Sequence, residues 1–231
     1  MKKENRRLFF LPILLLAAFG VWTVLIVTVD VRPIGPEGSR VGLAGINGFV
    51  HRVVGVHMGL YTLTDWLGLV PVGICLGFAL LGLWQWIKRR RLCRVDGDVL
   101  LLGVFYLVVF GVYLLFEELA VNRRPVVIEG FLEASYPSST TLLVLCVVPT
   151  AIICLKGRIK RLWLRRTVVL GLWAFALFMT LGRFVSGVHW LGDIVGGILL
   201  SGGLVTAYRA VLCSVFCKAD RRAALPPPGR D

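Results

Sequence analysis

Six runs of roughly twenty apolar residues divide the chain, and nothing else in it limits the possible folds as much. At 1.5 Å of rise per residue, about twenty residues of helix cross about 30 Å of hydrocarbon. The runs are Leu8 to Val29, Trp66 to Ile87, Val99 to Phe116, Ser138 to Leu155, Thr167 to Ser186 and Trp190 to Leu212. Only helices and closed barrels satisfy their backbone groups in lipid, so each run is expected to be a helix. Composition agrees, with 57% hydrophobic residues and a mean hydropathy of +0.82, more apolar surface than a water-soluble domain of this size tolerates. The first run is long, and no small-residue cleavage site follows in VTVDVRP, so it reads as a span and not as a signal peptide. The expected fold class is therefore all-α integral membrane, one domain over residues 1–231.

The formal net charge of +13 would suggest nucleic acid for a soluble protein. Here the basic residues cluster between apolar runs, in MKKENRR, KRRRLCR, KGRIKRLWLRR and CKADRR, which alternate along the chain and so share one side. The excess of Lys and Arg in cytoplasmic loops makes that side the cytoplasm, with both termini there. No nucleic-acid partner is expected. The expected location is a plasma (inner) membrane, bacterial because long extramembrane domains and glycosylation-type loops are lacking. Oligomeric state is not legible.

The outer side then holds residues 30–65, the segment from Glu117 to Pro137, and a tight turn from Ser186 to His189. Residues 30–65 read as a loop rich in Pro and Gly followed by an interfacial helix or lid. Residues 219–231, ending in AALPPPGRD, read as a disordered tail. Cys75, Cys93, Cys146, Cys154, Cys213 and Cys217 all fall in spans or on the cytoplasmic side, where no disulfide framework is expected. No grouping of residues resembles a metal-ligand cluster, and no cofactor is expected.

Against this background GRFVSGVHWLGD, residues 182–193, is anomalous: it places Arg183, His189 and Asp193 inside apolar sequence. Arg123 and Arg124 lie in the preceding outer loop, and Ser138 and Ser139 open the fourth run. All converge at the outer surface, on the wrong side for arginines that serve only topology. His189 and Asp193 are four residues apart, a spacing that puts them on one helix face, where a carboxylate can hold one imidazole N–H and leave the other nitrogen free as a nucleophile. Arginine forks and the N–H groups at a helix start both suit phosphate oxygens. Blander readings stay open at this point: Arg183 snorkelling to headgroups, and His189 with Asp193 as a structural pair.

The spacing R-x5-H-x3-D from Arg183 to Asp193 resembles the third motif of the type-2 phosphatidic acid phosphatase superfamily of membrane phosphatases. Arg124-Pro125 resembles the end of its first motif, K-x6-RP, and Pro137 to Thr140 its second, PSGH. The resemblance covers most of the chain from the third span on, with the motif region at about 117–193. It implies a nucleophile at His189 oriented by Asp193, phosphate binding by Arg124, Arg183, Ser138 and Ser139, a phosphohistidine intermediate, no metal, and a membrane lipid phosphate as substrate. Two positions depart from the family pattern. Glu117 stands where the first motif has lysine, and Thr140 where the second has the histidine that protonates the leaving group. Thr140 itself, His57 and Glu118 are the candidates for a substitute acid, and His51 is read as interfacial. The implied function is hydrolysis of a lipid phosphate or isoprenoid diphosphate at the outer leaflet. The alternative is an impaired relative that binds or transports phosphorylated lipids.

Overall fold

The computed structural model describes the backbone of residues 2–223 and the side chains of residues 8–215. Its helices are α1 (Lys2–Thr28), α2 (Ala44–Val54), α3 (Met58–Leu67), α4 (Leu69–Arg89), α5 (Gly97–Leu119), α6 (Ser139–Arg158), α7 (Leu162–Val185) and α8 (Leu191–Ala223). Helices long and apolar enough to cross a membrane occur six times among the described residues, with α3 and α4 together forming the second, Met58–Arg89. No strand is present among the described residues, only isolated bridges such as that between Arg123 and Ala134. Large apolar side chains stand exposed along these helices, Phe10, Leu107 and Leu170 among them. Water would not tolerate that surface, whereas hydrocarbon does, and the chain is an integral membrane protein.

Helix α6 is the most enclosed span and forms the axis of the bundle, packing against α4, α5, α7 and α8. Its buried positions include Leu142, Val144, Cys146, Val148, Ala151 and Ile152. Helix α1 lies along α8, where small residues permit close approach: Gly192 meets Ile26 and Gly203 meets Leu16, with no room for a Cβ at either glycine. Trp22 Nε1 donates to the Gly192 carbonyl at 3.0 Å, and Thr23 Oγ1 lies 2.7 Å from the Tyr136 hydroxyl.

At the basic end of the bundle, α4, α5 and α6 are tied by a polar cluster. Arg158 grips Asp98 with both Nη atoms at 2.5 and 2.9 Å, while Asp96 accepts from Arg89 at 2.8 Å and Gln85 at 2.8 Å. The Arg89 hydrogen bond holds the Asp96 carboxyl below its usual pKa, against burial.

The second span differs from its expected start at Trp66. The apolar helical stretch that contains it begins at Met58, with residues 58–65 forming most of α3. Packing is the reason: α3 lies against α7, with Thr64 fully buried on Gly182, a contact that the hydropathy of α3 alone does not reveal. The interfacial helix reduces to α2, anchored by Asn47, which accepts from Gly192 N–H at 2.9 Å and donates to the Gly42 carbonyl at 2.7 Å. Helix α8 continues to Ala223, and the remainder of the expected tail, residues 224–231, lies outside the described residues.

The turn from Ser186 to Trp190 joins α7 to α8 and is braced by the linker between α2 and α3. His57 N–H donates to the Ser186 carbonyl at 2.9 Å. Gly187 has φ of +68°, and a Cβ there would lie 1.9 Å from the Gly55 carbonyl oxygen. Gly187→Ala is therefore expected to destabilise by about 1–2 kcal/mol for the left-handed backbone and a further ~1–3 kcal/mol for the displaced linker. Thermal unfolding of the purified protein in detergent checks this, and an unchanged midpoint would contradict the brace.

Candidate active site

The loop from Ala120 to Ser138 folds back on itself through the Arg123–Ala134 and Ile128–Phe131 bridges. Successive residues of an extended segment point to opposite faces. Arg123 accordingly faces outward, its Nη1 donating to the Leu132 carbonyl, while Arg124 is buried. Arg124 is held by Glu133 through its backbone N–H at 3.1 Å and through Nη2 on the Glu133 carboxylate at 2.9 Å.

Arg183 sits in the last turn of α7 and is almost wholly buried, at 1% exposure. The missing side chain of Gly182 lets Thr64 approach, and this brings Tyr61 and Asp65, one turn apart on α3, onto Arg183. The Arg183 guanidinium lies 4.9 Å and that of Arg124 5.8 Å from the Tyr61 ring centre, so one aromatic ring steadies both cations. Arg183 Nη1 lies 3.4 Å from Asp65 Oδ1, and Nη2 lies 3.5 Å from His189 Nε2.

Arginine carries only donors, so a His189 Nε2 facing it presents its lone pair, which places the ring proton on Nδ1, toward Asp193. The His189–Asp193 geometry differs from that expected of one helix face. His189 precedes α8, and its Nδ1 stands 3.8 Å from Asp193 Oδ2, beyond hydrogen-bonding range. Asp193 is fully buried and serves the start of α8: Oδ2 accepts from Trp190 N–H at 3.0 Å while Asp193 N–H donates to the Trp190 carbonyl at 3.0 Å, a reciprocal cap. Oδ1 accepts from Asn122 at 3.3 Å. Burial pushes the His189 pKa down to about 4, with Arg183 and Arg124 acting in the same direction and Asp193 opposing them. The ring is thus neutral, with Nε2 basic and unprotonated, at any pH near 7.

Ser138 is fully buried at the N-cap of α6, yet its hydroxyl makes no cap hydrogen bond. Its N–H donates to the Asp193 carbonyl at 3.1 Å, which joins the starts of α6 and α8. Arg124 Nε and Nη1, Arg183 Nε, Ser138 Oγ and His189 Nδ1 are all buried without a hydrogen-bond partner among the described residues. Buried polar groups rarely go unpaired, because each costs about 1–3 kcal/mol. Guanidinium donors left open beside a neutral imidazole are chemically suited to a multiply charged oxyanion.

The remaining expected residues fall at varying distances from this centre. Ser139 and Glu117 line a narrow cleft between α5 and α6, together with Tyr113, Ser135 and Tyr136, so the charge reversal at Glu117 does face a cleft beside the site. Thr140 lies in the first turn of α6, partly buried. Glu118 is exposed near the end of α5. His57 is exposed, and its Nε2 lies 3.0 Å from the Val54 carbonyl. His51 packs on Trp190 with ring centres 5.3 Å apart, and partial burial lowers its pKa. No group of three or more His, Cys, Asp or Glu side chains among the described residues is placed to hold a metal.

Sequence reasoning missed Asp65, Tyr61, Glu133, Asn122 and Asn47. Asp65 carried a usable signal, an acid inside the apolar run LYTLTDWLGLVPVG, since ionisable residues within spans are rare and usually functional. The two asparagines carried none, because their importance rests on contacts between segments 71 and 145 residues apart.

This is a six-span membrane protein in which two buried arginines with unpartnered N–H groups stand near one buried histidine. The model of the PAP2 superfamily matches residues 113–213, which include Arg124, Ser138, Ser139, Arg183, His189 and Asp193, and this match supports membership of that superfamily. Its fold is similar to that of a transmembrane PAP2-type phosphatidylglycerolphosphate phosphatase from Bacillus subtilis, with a TM-score of 0.58 and 17% identity over 89% of this chain and 98% of that one. No curated protein sequence matches the chain. The match, with six spans, supports a membrane phosphatase kind of function.

Proposed function

We propose that the protein hydrolyses an isoprenoid diphosphate or a related lipid phosphate, through a phosphohistidine formed on His189. The observation that carries this reading is the set of unpartnered guanidinium N–H groups of Arg124 and Arg183 around a neutral His189 whose Nε2 faces Arg183. In the first half-reaction the Nε2 lone pair attacks phosphorus and the bond to the leaving oxygen breaks. Arg124, Arg183 and the Ser138 hydroxyl neutralise the charge that builds on the phosphoryl oxygens. Asp193 fixes the backbone from which His189 projects and stabilises positive charge on the ring from the Nδ1 side. Water then cleaves the phosphohistidine. The test is phosphate release by purified protein over a panel of lipid monophosphates and diphosphates. Release from the diphosphates supports the reading, and none from any member overturns it.

A second reading has its own observation. Both arginines already contact carboxylates, Arg124 with Glu133 and Arg183 with Asp65, and Thr140 replaces the family acid. This is the arrangement of a lipid-phosphate binding or transport protein that has lost turnover. Tight binding of the diphosphate without phosphate release would favour it.

The distribution of Lys and Arg supports a site facing outward, at the outer leaflet of a bacterial plasma membrane, with both termini in the cytoplasm. In a cysteine-free background, an impermeant thiol reagent added to intact cells is expected to label Glu129→Cys and Gly38→Cys but neither Arg90→Cys nor Lys160→Cys. The reverse pattern would invert the orientation and move the site to the cytoplasmic leaflet.

A further inference from the structure

We propose that Asp65 is the general base for the second half of the reaction, activating the water that cleaves the phosphohistidine in place of the family histidine absent at Thr140. This rests on the phosphohistidine reading above. A single histidine ordinarily gives a proton to the leaving group and then takes one from water, and Thr140 can do neither at neutral pH. Some other group near His189 Nε2 must accept the water proton.

The structure narrows the choice. His57 is exposed, with its Nε2 beside the Val54 carbonyl, and Glu118 is exposed near the end of α5. Asp193 lies on the Nδ1 side of His189, fully buried, and both its oxygens accept hydrogen bonds from Trp190 and Asn122. Glu133 contacts Arg124, which makes no hydrogen bond to the imidazole among the described residues. Asp65 contacts the one guanidinium that also faces the nucleophile: Arg183 offers Nη1 to Asp65 at 3.4 Å and Nη2 to His189 Nε2 at 3.5 Å. The Asp65 side chain is 57% exposed, against 1% for Arg183, so it is open on the side away from that guanidinium. At 3.4 Å the pairing to Arg183 is long, and a phosphoryl group on Nε2 competes for the same fork. Asp65 also lies outside the span matched by the family model, so the function would have moved from the start of α6 to α3.

The step balances without a further reactant. The water oxygen attacks phosphorus, the P–N bond breaks and its electron pair returns to Nε2. The water proton passes to the Asp65 carboxylate and on to solvent, leaving phosphate and neutral His189. The leaving group of the first half, the lipid phosphate monoester released from a diphosphate, departs unprotonated and needs no acid.

The experiment follows wild type, Asp65→Asn, Asp65→Glu and His189→Ala with a polyprenyl diphosphate labelled in its terminal phosphate, reading both labelled enzyme and released phosphate. Asp65→Asn is expected to lower steady-state turnover roughly 10²–10⁴-fold while labelled enzyme accumulates toward one per chain. Hydroxylamine, which attacks phosphorus without losing a proton first, should restore its turnover. Asp65→Glu should retain more turnover than Asp65→Asn and serves as the second variant if the amide impairs folding. Loss of labelling and turnover together in Asp65→Asn would make Asp65 a positioning residue for Arg183 and overturn the proposal, as would wild-type turnover. Label absent from every variant, with His189→Ala still active, would overturn the phosphohistidine reading itself and the assignment with it.

Discussion

Replacing His189 with alanine is expected to reduce turnover to background, a loss on the order of 10⁶-fold, the scale found when a hydrolase loses its nucleophile. The size follows from the site. Among the described residues His189 is the histidine whose ring nitrogen faces Arg183, and the Ser138 hydroxyl has no hydrogen-bond partner to activate it. The fold should survive, because His189 makes no short hydrogen bond, whereas its neighbours Trp190 and Asp193 carry the reciprocal cap of α8. The pH profile makes the same assignment. A pKa pushed down to about 4 leaves the ring unprotonated well below neutrality, so the acid limb of kcat/KM, corrected for substrate titration, should fall near pH 4 and not near the ordinary imidazole value of about 6.5. Full activity in His189→Ala would end the mechanism, and an acid limb near 6.5 would remove the buried, cation-flanked histidine from it.

The second large effect concerns the leaving group. A missing general acid costs in proportion to how strongly the departing oxygen needs a proton. A monoester such as phosphatidic acid releases an alcohol, whose conjugate base resembles hydroxide, for which the reference pKa of water is about 15.7. A diphosphate releases a phosphate monoester whose relevant pKa is about 6, and this group leaves unprotonated at neutral pH. General-acid help is worth about 10²–10⁴-fold, so with Thr140 at the acid position kcat/KM for a polyprenyl diphosphate should exceed that for a lipid monoester by about that factor. Thr140→His should raise monoester activity more than diphosphate activity. Asp65, acting in the water step, serves both substrates alike and so does not offset this difference. Equal or faster hydrolysis of phosphatidic acid by the native protein would contradict the argument and require an acid at the site.

The six spans and the shared depth of Arg124, Ser138, Arg183, His189 and Asp193 were legible in the sequence, because hydropathy and local spacing report them directly. The start of the second span was not, since Met58 to Asp65 reads as part of an interfacial helix or lid until Gly182 is seen to admit Thr64. That one misplacement hid Asp65 and Tyr61, the two side chains that hold Arg183. The spacing of His189 and Asp193 pointed to a partnership on a helix face. The structure puts them across the first turn of α8, where Asp193 spends its oxygens on Trp190 and Asn122. Such roles arise from contacts between distant segments, and a local spacing does not carry that information. The polar cluster of Asp96, Asp98 and Arg158 shows the same limit at the other end of the bundle, where acids in a basic loop make sense only once α6 is seen beside them.

The central claim is that His189 becomes phosphorylated by substrate. Purified protein mixed with a polyprenyl diphosphate carrying labelled terminal phosphate, quenched in alkali and digested, reports it directly, since a phosphoramidate survives alkali and is lost in acid. The account predicts alkali-stable, acid-labile label on the peptide that contains His189, absent from His189→Ala. Phosphate release with no label on that peptide at any time, or label on another residue, would contradict it.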